Sequence, residues 1–300
     1  MNEEQRSEPK TPASVYFLLG VVVLVWSINF VVGKFALRQI PDVLLGTLRF
    51  TVAAAMLTPY YVFERRRRKL PLIEKGGIGK LMAVGLVGVG ANQLCFLLGL
   101  SRTSVAHAAI LFALTPMIVL LVSAAAGMER ITAKKVGGIV LAIAGVGLLQ
   151  TGDRAGREAT LLGDAFIAAA VATFSIFTVG GKWLRKDFDT LTITTGTYLG
   201  SAILLSPVTL LASRNFDFAG VSWSGWAAVF YMALFPSIIA YMIYYHALHY
   251  LDATQLSLLA YLQPVMATVF GVTLLDERIT PGLLAGGALI LAGVFVAERT

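Results

Sequence analysis

The sequence predicts an all-α integral membrane protein with ten transmembrane helices, arranged as two inverted five-helix repeats with N-in/C-in topology. Three observations carry this prediction. The chain of 300 residues is 57% hydrophobic and only 14% charged, with a mean hydropathy of +0.77, whereas soluble domains carry roughly a quarter charged residues. Apolar runs of about 20 residues, the length that crosses a hydrocarbon core, recur along the whole chain. Finally, the second half repeats the first at a constant offset of 148 residues. Pro116 recurs as Pro264, the block Glu129 to Thr132 as Glu277 to Thr280, and Ala144-Gly-Val146 as Ala292-Gly-Val294. A repeat of this length fixes the architecture before any other feature is considered.

Taken in order, residues 1–13 form a polar cytoplasmic tail. The run that follows is longer than a signal-peptide core and has no small-x-small cleavage site, so it stays as a helix. The first predicted helix covers Ser14 to Leu37 and the second, after the turn Arg38 to Asp42, Val43 to about Phe63. The densest charge run of the chain, Glu64-Arg-Arg-Arg-Arg-Lys69, comes next. The third helix covers Ile78 to Leu100, the fourth Val105 to about Met128 and the fifth Ala133 to Gln150, closing a first repeat over 14–150. A polar linker, 151–160, leads to the second repeat, 161–297. Its helices are Leu161 to Leu184, Phe188 to Ala212, Trp223 to about Leu248, Ala253 to Leu275 and Pro281 to Ala297. Pro281 suits a first helical turn, where its missing N–H is not needed. Five helices per repeat is an odd number, so the second copy enters the membrane from the opposite side. Charge agrees. With the N-terminus inside, cytoplasmic segments hold sixteen Lys and Arg against seven outside, with Arg49 left within a helix. The charge run reads as a topology determinant, with lipid head-group or partner binding as the other reading.

Several function classes are excluded or disfavoured. Cys95 is the only cysteine, which removes internal disulfides and Cys-based metal clusters. Gly76-Gly-Ile-Gly-Lys80 is followed by Leu81 and lacks the spacing of a phosphate-binding loop. Gly85, Gly88 and Gly90 lie in an apolar run and serve helix packing better than dinucleotide binding. No basic-aromatic motif suggests nucleic acid, and no acid, base and nucleophile cluster at one interface. No cofactor, metal or enzymatic activity is expected. The partners implied are a small-molecule substrate and the lipid bilayer, with monomer and homodimer both open. Inverted repeats with no energising domain point to a secondary transporter whose substrate sits near the midplane between the halves.

The paired blocks, Trp26-Ser-Ile-Asn-Phe30, the triplet Leu48-Arg49-Phe50 and the Pro-x(12)-Glu-Arg spacing resemble the two EamA domains of the drug/metabolite transporter superfamily. The resemblance covers nearly the whole chain. Within the superfamily the chain is most similar to bacterial inner-membrane exporters of amino acids and related metabolites, the YddG-type aromatic amino-acid exporters among them. The resemblance implies a multi-pass inner-membrane protein with a central cavity lined mainly by helices one to four and six to nine, with helices five and ten as peripheral scaffold. It also implies export by alternating access, with a drug or other-metabolite carrier as the alternative.

Scaffold positions should repeat between halves, while positions touching an asymmetric small molecule should differ. Arg49, matched by Thr197, stands about 10 Å into its helix at 1.5 Å per residue. An intramembrane charge faces a cavity or a partner, so Arg49 is either a fork for a substrate carboxylate or a structural contact. Trp26 against Phe174, Asn29 against Phe177, His107 against Gln255 and Thr115 against Gln263 also diverge. The amides of Asn92 and Gln93 need partners in lipid and are candidates for substrate or for interhelical hydrogen bonds. Tyr241, Tyr244, Tyr261 and Gln263 would line helices eight and nine. Pro116 and Pro264 remove an N–H from their helices and are expected to act as hinges during gating. Glu129-Arg130 and Glu277-Arg278 read as caps of helix connections. All seventeen Asp and Glu lie in tails, loops or helix ends. Coupling to ions usually uses an intramembrane carboxylate, so uniport or exchange is expected over proton coupling.

Overall fold

Ser104, Thr160, Asp189 and Ser222 each place a side-chain oxygen on an amide three residues ahead, at 3.1, 3.0, 2.9 and 3.2 Å. Each satisfies an otherwise unpartnered amide at the start of a helix. The computed structural model describes residues 12–71, 75–127, 131–149, 160–247, 250–251 and 262–298, and no strand occurs among them. The helices are α1 (Ala13–Ala36), α2 (Asp42–Arg67), α3 (Lys75–Gly85), α4 (Asn92–Leu100), α5 (Val105–Phe112), α6 (Thr115–Ala125) and α7 (Ala133–Leu149). The second half gives α8 (Leu161–Asp187), α9 (Thr190–Leu204), α10 (Ser206–Ser213), α11 (Trp223–Ala233), α12 (Ala240–Ala247), α13 (Leu262–Leu275) and α14 (Pro281–Glu298). Two π-helical stretches, Leu86–Ala91 and Leu234–Ile239, join α3 to α4 and α11 to α12.

The duplication extends to these irregularities. α8, α9 and α14 begin 148 residues after α1, α2 and α7, and the second π-stretch begins and ends 148 residues after the first. Six helical segments are long and apolar enough to cross a membrane, or seven if the bent pair α9–α10 is one span, and α13 and α14 are shorter apolar helices.

One predicted helix is not continuous as expected. The predicted seventh breaks at Leu205 into α9 and α10, bent by 54°. Pro207, in the first turn of α10, has no N–H to continue the α-helical ladder. Its counterpart Pro59 stays inside an unbroken α2. The predicted fourth helix is one apolar span, Val105–Ala125, with a local turn at Ala113–Leu114 where α5 passes into α6 and Pro116 sits in the first turn of α6. The predicted ninth is described only from Leu262 onward.

α7 and α14 pack along each other. A Cβ on Gly138 would lie 2.8 Å from the Ala297 amide nitrogen, and one on Gly145 2.8 Å from the Gly286 carbonyl. Glycine lets these backbones meet. Bonds between helix ends tie the two ends of the bundle. At one end Arg102 pairs with Asp42 (2.7 Å), and Thr160 N–H donates to the Arg102 carbonyl (3.0 Å). Glu277 accepts from the Val105 and Ala106 amides at 2.7 and 3.1 Å, a cap supplied to the first half by the second. At the opposite end Arg65 pairs with Asp189 (3.2 Å) and Lys80 with Asp187 (3.0 Å). Glu129-Arg130 lies outside the described residues.

Candidate functional site

The second π-stretch organises the centre of the bundle. Pro236 has no N–H, and Ser237 Oγ donates to the Met232 carbonyl five residues back at 2.7 Å, the spacing of a widened turn. Arg49, on α2, is 4% exposed, and its Nε donates to Ser237 Oγ at 2.8 Å. Trp26, on α1, donates from Nε1 to the Pro236 carbonyl at 3.2 Å. Two side chains singled out in the sequence thus hold consecutive residues of one irregular turn. Among the described residues no carboxylate pairs with Arg49. A buried guanidinium without an anion is costly and retains donors for an incoming one.

Aromatic rings adjoin this group. Trp26 lies 5.8, 5.9 and 5.7 Å from the ring centroids of Phe174, Tyr241 and Tyr244. Phe174 lies 6.3 and 6.0 Å from Tyr241 and Tyr244. These separations suit edge-on and tilted ring packing. Tyr241 also meets Tyr198 at 6.1 Å, and the Tyr198 hydroxyl accepts from Gln93 Nε2 at 3.1 Å. Gln93 Oε1, and Asn29 Oδ1 one turn on from Trp26, are buried acceptors with no hydrogen-bond partner. The structure therefore brings Trp26, Arg49, Gln93, Phe174, Tyr241 and Tyr244 into one connected group. It adds Tyr198 and Ser237, which were not singled out. Comparing the halves at every position would have flagged both, because their counterparts Phe50 and Val89 lack a hydroxyl.

Other candidates sit elsewhere. Asn92 Nδ2 donates to the Ala170 carbonyl at 2.7 Å, joining α4 to α8. Gln263 is buried in the first turn of α13, with Pro264 beside it, and Thr115 is buried beside Pro116. Tyr261 lies outside the described residues. His107 meets Asp164 of α8, with Nδ1 3.6 Å from Oδ2. Asp164 and Glu64 do stand near helix ends, but they are 4% and 7% exposed. Side chains from α5 and its preceding loop cover Asp164, and the Arg67 and Arg68 side chains pair with Glu64. Tertiary packing thus buries two carboxylates that stand near helix ends.

Two cavities open at opposite ends of the bundle. One of about 430 Å³ is lined by Lys34, Arg38, Ser101, Ser104 and Glu277. The other, of about 480 Å³, is lined by Glu64, Arg65, Arg68, Arg185, Asp189 and His246. The aromatic group stands between them. Trp26 is about 12 Å along α1 from Lys34 of the first lining, and Tyr241 adjoins Met242 of the second.

Known proteins bear on this arrangement. The model of the EamA-like transporter family matches twice, over residues 13–151 and 161–298. "Uncharacterized transporter YetK" of Bacillus subtilis is 28% identical, covering 96% of this chain and 87% of that protein. A "Probable terminal-alkyne amino-acid exporter" of Streptantibioticus cattleyicolor is 27% identical over 94% of this chain and 92% of its own length. A "Probable amino-acid metabolite efflux pump" of Salmonella typhimurium is 26% identical over 93% of each. A solved crystal structure, 23% identical, superposes with a TM-score of 0.65 over 96% of this chain and 97% of its own, a likeness of fold. With two matches that together span almost every residue, the chain belongs to the EamA-like transporter family and is a multi-pass membrane transporter of small molecules, not an enzyme.

Proposed function

We propose that this transporter exports amino acids, aromatic ones among them, across a bacterial inner membrane by alternating access. In this reading ten spans form two inverted repeats, 14–150 and 161–297, N-in and C-in, with the Arg65 end cytoplasmic and the Asp42 end outside. The observation that carries the reading is Arg49, a buried guanidinium with no carboxylate partner among the described residues, next to a cluster of four aromatic rings. A substrate carboxylate would take the free guanidinium donors. Its ammonium would meet the unpartnered oxygens of Gln93 and Asn29, and its side chain would displace or stack on the rings of Trp26, Phe174, Tyr241 and Tyr244. The turn beside Pro116 and the start of α13 at Pro264 would let the fourth and ninth spans bend as the two cavities open in turn. The names of two relatives, an amino-acid metabolite efflux pump and an amino-acid exporter, support the substrate class.

Asp164 in the first turn of α8 and Glu64 near the end of α2 keep to helix ends, which supports uniport or exchange over proton coupling. The test of the substrate is counterflow in proteoliposomes across a panel of amino acids, organic cations and sugars. Aromatic amino acids should compete best, and Trp26→Ala should flatten their advantage over small aliphatic ones. A panel in which only cationic drugs or only sugars exchange refutes the reading.

A further inference from the structure

An arginine guanidinium offers its N–H donors in a rigid plane. A carboxylate can take two of them side-on, through Nε and one Nη, or end-on, through the two Nη groups. In this bundle the choice is already made. Arg49 Nε donates to Ser237 Oγ at 2.8 Å, and no hydrogen bond to Nη1 or Nη2 occurs among the described residues. The side-on edge is therefore occupied, and the end-on fork keeps its donors. Both partners are sequestered, Arg49 at 4% and Ser237 at 0% exposure, so bulk water does not compete for the Nε bond.

Ser237 Oγ can hold that edge because its own position is fixed. Its O–H donates to the Met232 carbonyl at 2.7 Å, which leaves its lone pairs to accept. Trp26 Nε1 donates to the carbonyl of the neighbouring Pro236 at 3.2 Å, pinning the same turn to α1. The bond from Arg49 to Ser237 also joins the two halves of the chain, residues 13–151 and 161–298.

The plain role for a serine in a widened turn is to satisfy the turn itself. The duplicated half shows that the turn does not need it. The first π-stretch, Leu86–Ala91, has the same length and lies 148 residues earlier, yet Val89 stands where the second has Ser237 and Gly88 where it has Pro236. No residue of that first stretch carries a hydroxyl, and Gly88 lies directly against the Phe177 ring. The irregular backbone forms there without a serine. What the Ser237 hydroxyl adds is the aim of Arg49.

We propose that Ser237 is a positioning residue for the substrate: by holding Nε of Arg49 it fixes the guanidinium plane and presents the Nη1–Nη2 fork end-on to the substrate carboxylate. An ionised carboxylate fits that fork with two parallel bonds, whereas an ester offers it one good acceptor oxygen. Ser237 thus sets the selectivity for a free carboxylate without touching the substrate. The proposal rests on the exporter reading, in which Arg49 receives that carboxylate, and adds how the fork is aimed.

The test is counterflow in proteoliposomes with the full-length protein, read as competition by an aromatic amino acid and by its methyl ester. Wild type is compared with Ser237→Ala, Ser237→Val and Ser237→Thr, and Ser237→Ala is repeated in an Arg49→Gln background to close a double-mutant cycle. Valine and threonine match in size and differ in the hydroxyl. Alanine only removes atoms, and it decides alone if the larger residues do not fold. Without the Nε bond the guanidinium regains rotamer freedom that the substrate must then arrest. Ser237→Ala and Ser237→Val should therefore each reduce the acid-over-ester preference about 2- to 12-fold, and Ser237→Thr should restore it. In the Arg49→Gln background the alanine change should leave the remaining preference where it is, because Ser237 acts through Arg49. If Arg49→Gln loses the preference while Ser237→Ala and Ser237→Val keep it, the proposal is overturned and the substrate reading stands. An equal loss of affinity for acid and ester, with a lower unfolding temperature, marks a purely structural serine and also overturns it. If wild type does not distinguish acid from ester, the substrate reading falls and the proposal with it.

Discussion

Arg49→Gln is the most informative single substitution. In the structure the guanidinium has one described side-chain partner, Ser237 Oγ at 2.8 Å, and no carboxylate. Removing the charge therefore relieves a buried cation, and stability should rise or change by less than about 1 kcal/mol. Substrate binding should behave in the opposite way. A charge-assisted carboxylate contact contributes about 1.5–3 kcal/mol, so the apparent affinity for an aromatic amino acid should fall roughly 10- to 150-fold. The assay is counterflow competition with an amino acid and its methyl ester, in wild type and Arg49→Gln. Wild type should prefer the free carboxylate, and the variant should lose most of that preference. This difference of differences isolates the contact from any general loosening. If Arg49 only anchors the π-stretch, Arg49→Gln and Ser237→Ala should destabilise equally, and the preference for the acid over the ester should survive. That outcome refutes the assignment.

Two further expectations concern the frame. Glu277→Ala removes the acceptor for two α5 amides and should lower stability by about 1–2 kcal/mol, read as a lower unfolding temperature in detergent, while the order of competing substrates stays the same. A reordered substrate panel would move Glu277 from frame to site. Pro116→Ala, at a helix first turn where proline is well accommodated, should change stability by less than about 1 kcal/mol yet slow counterflow several-fold by stiffening the junction of α5 and α6. Unchanged transport at wild-type expression would show that the turn at Ala113–Leu114 is not a hinge.

The sequence alone determined the all-helical membrane class and the two matching halves. Apolar runs set by bilayer thickness are local features, and a 148-residue offset is a property of the string itself. α8 starts at Leu161 and α14 at Pro281, where the apolar runs place them. Arg49 and Trp26 were legible for the same reason, as an odd charge in an apolar run and a position where the copies disagree. Tertiary structure alone decided which polar groups are sequestered and what they meet. Asp164 is the fourth residue of its helix, and from the sequence it reads only as a helix-end carboxylate. Thr103 and His107, some sixty residues away, cover it. Likewise Pro59 and Pro207 are equivalent in sequence, yet only the second interrupts its helix. The free energy of a buried charge or a bent helix depends on the neighbours that enclose it, and those neighbours come from distant parts of the chain that only folding brings together.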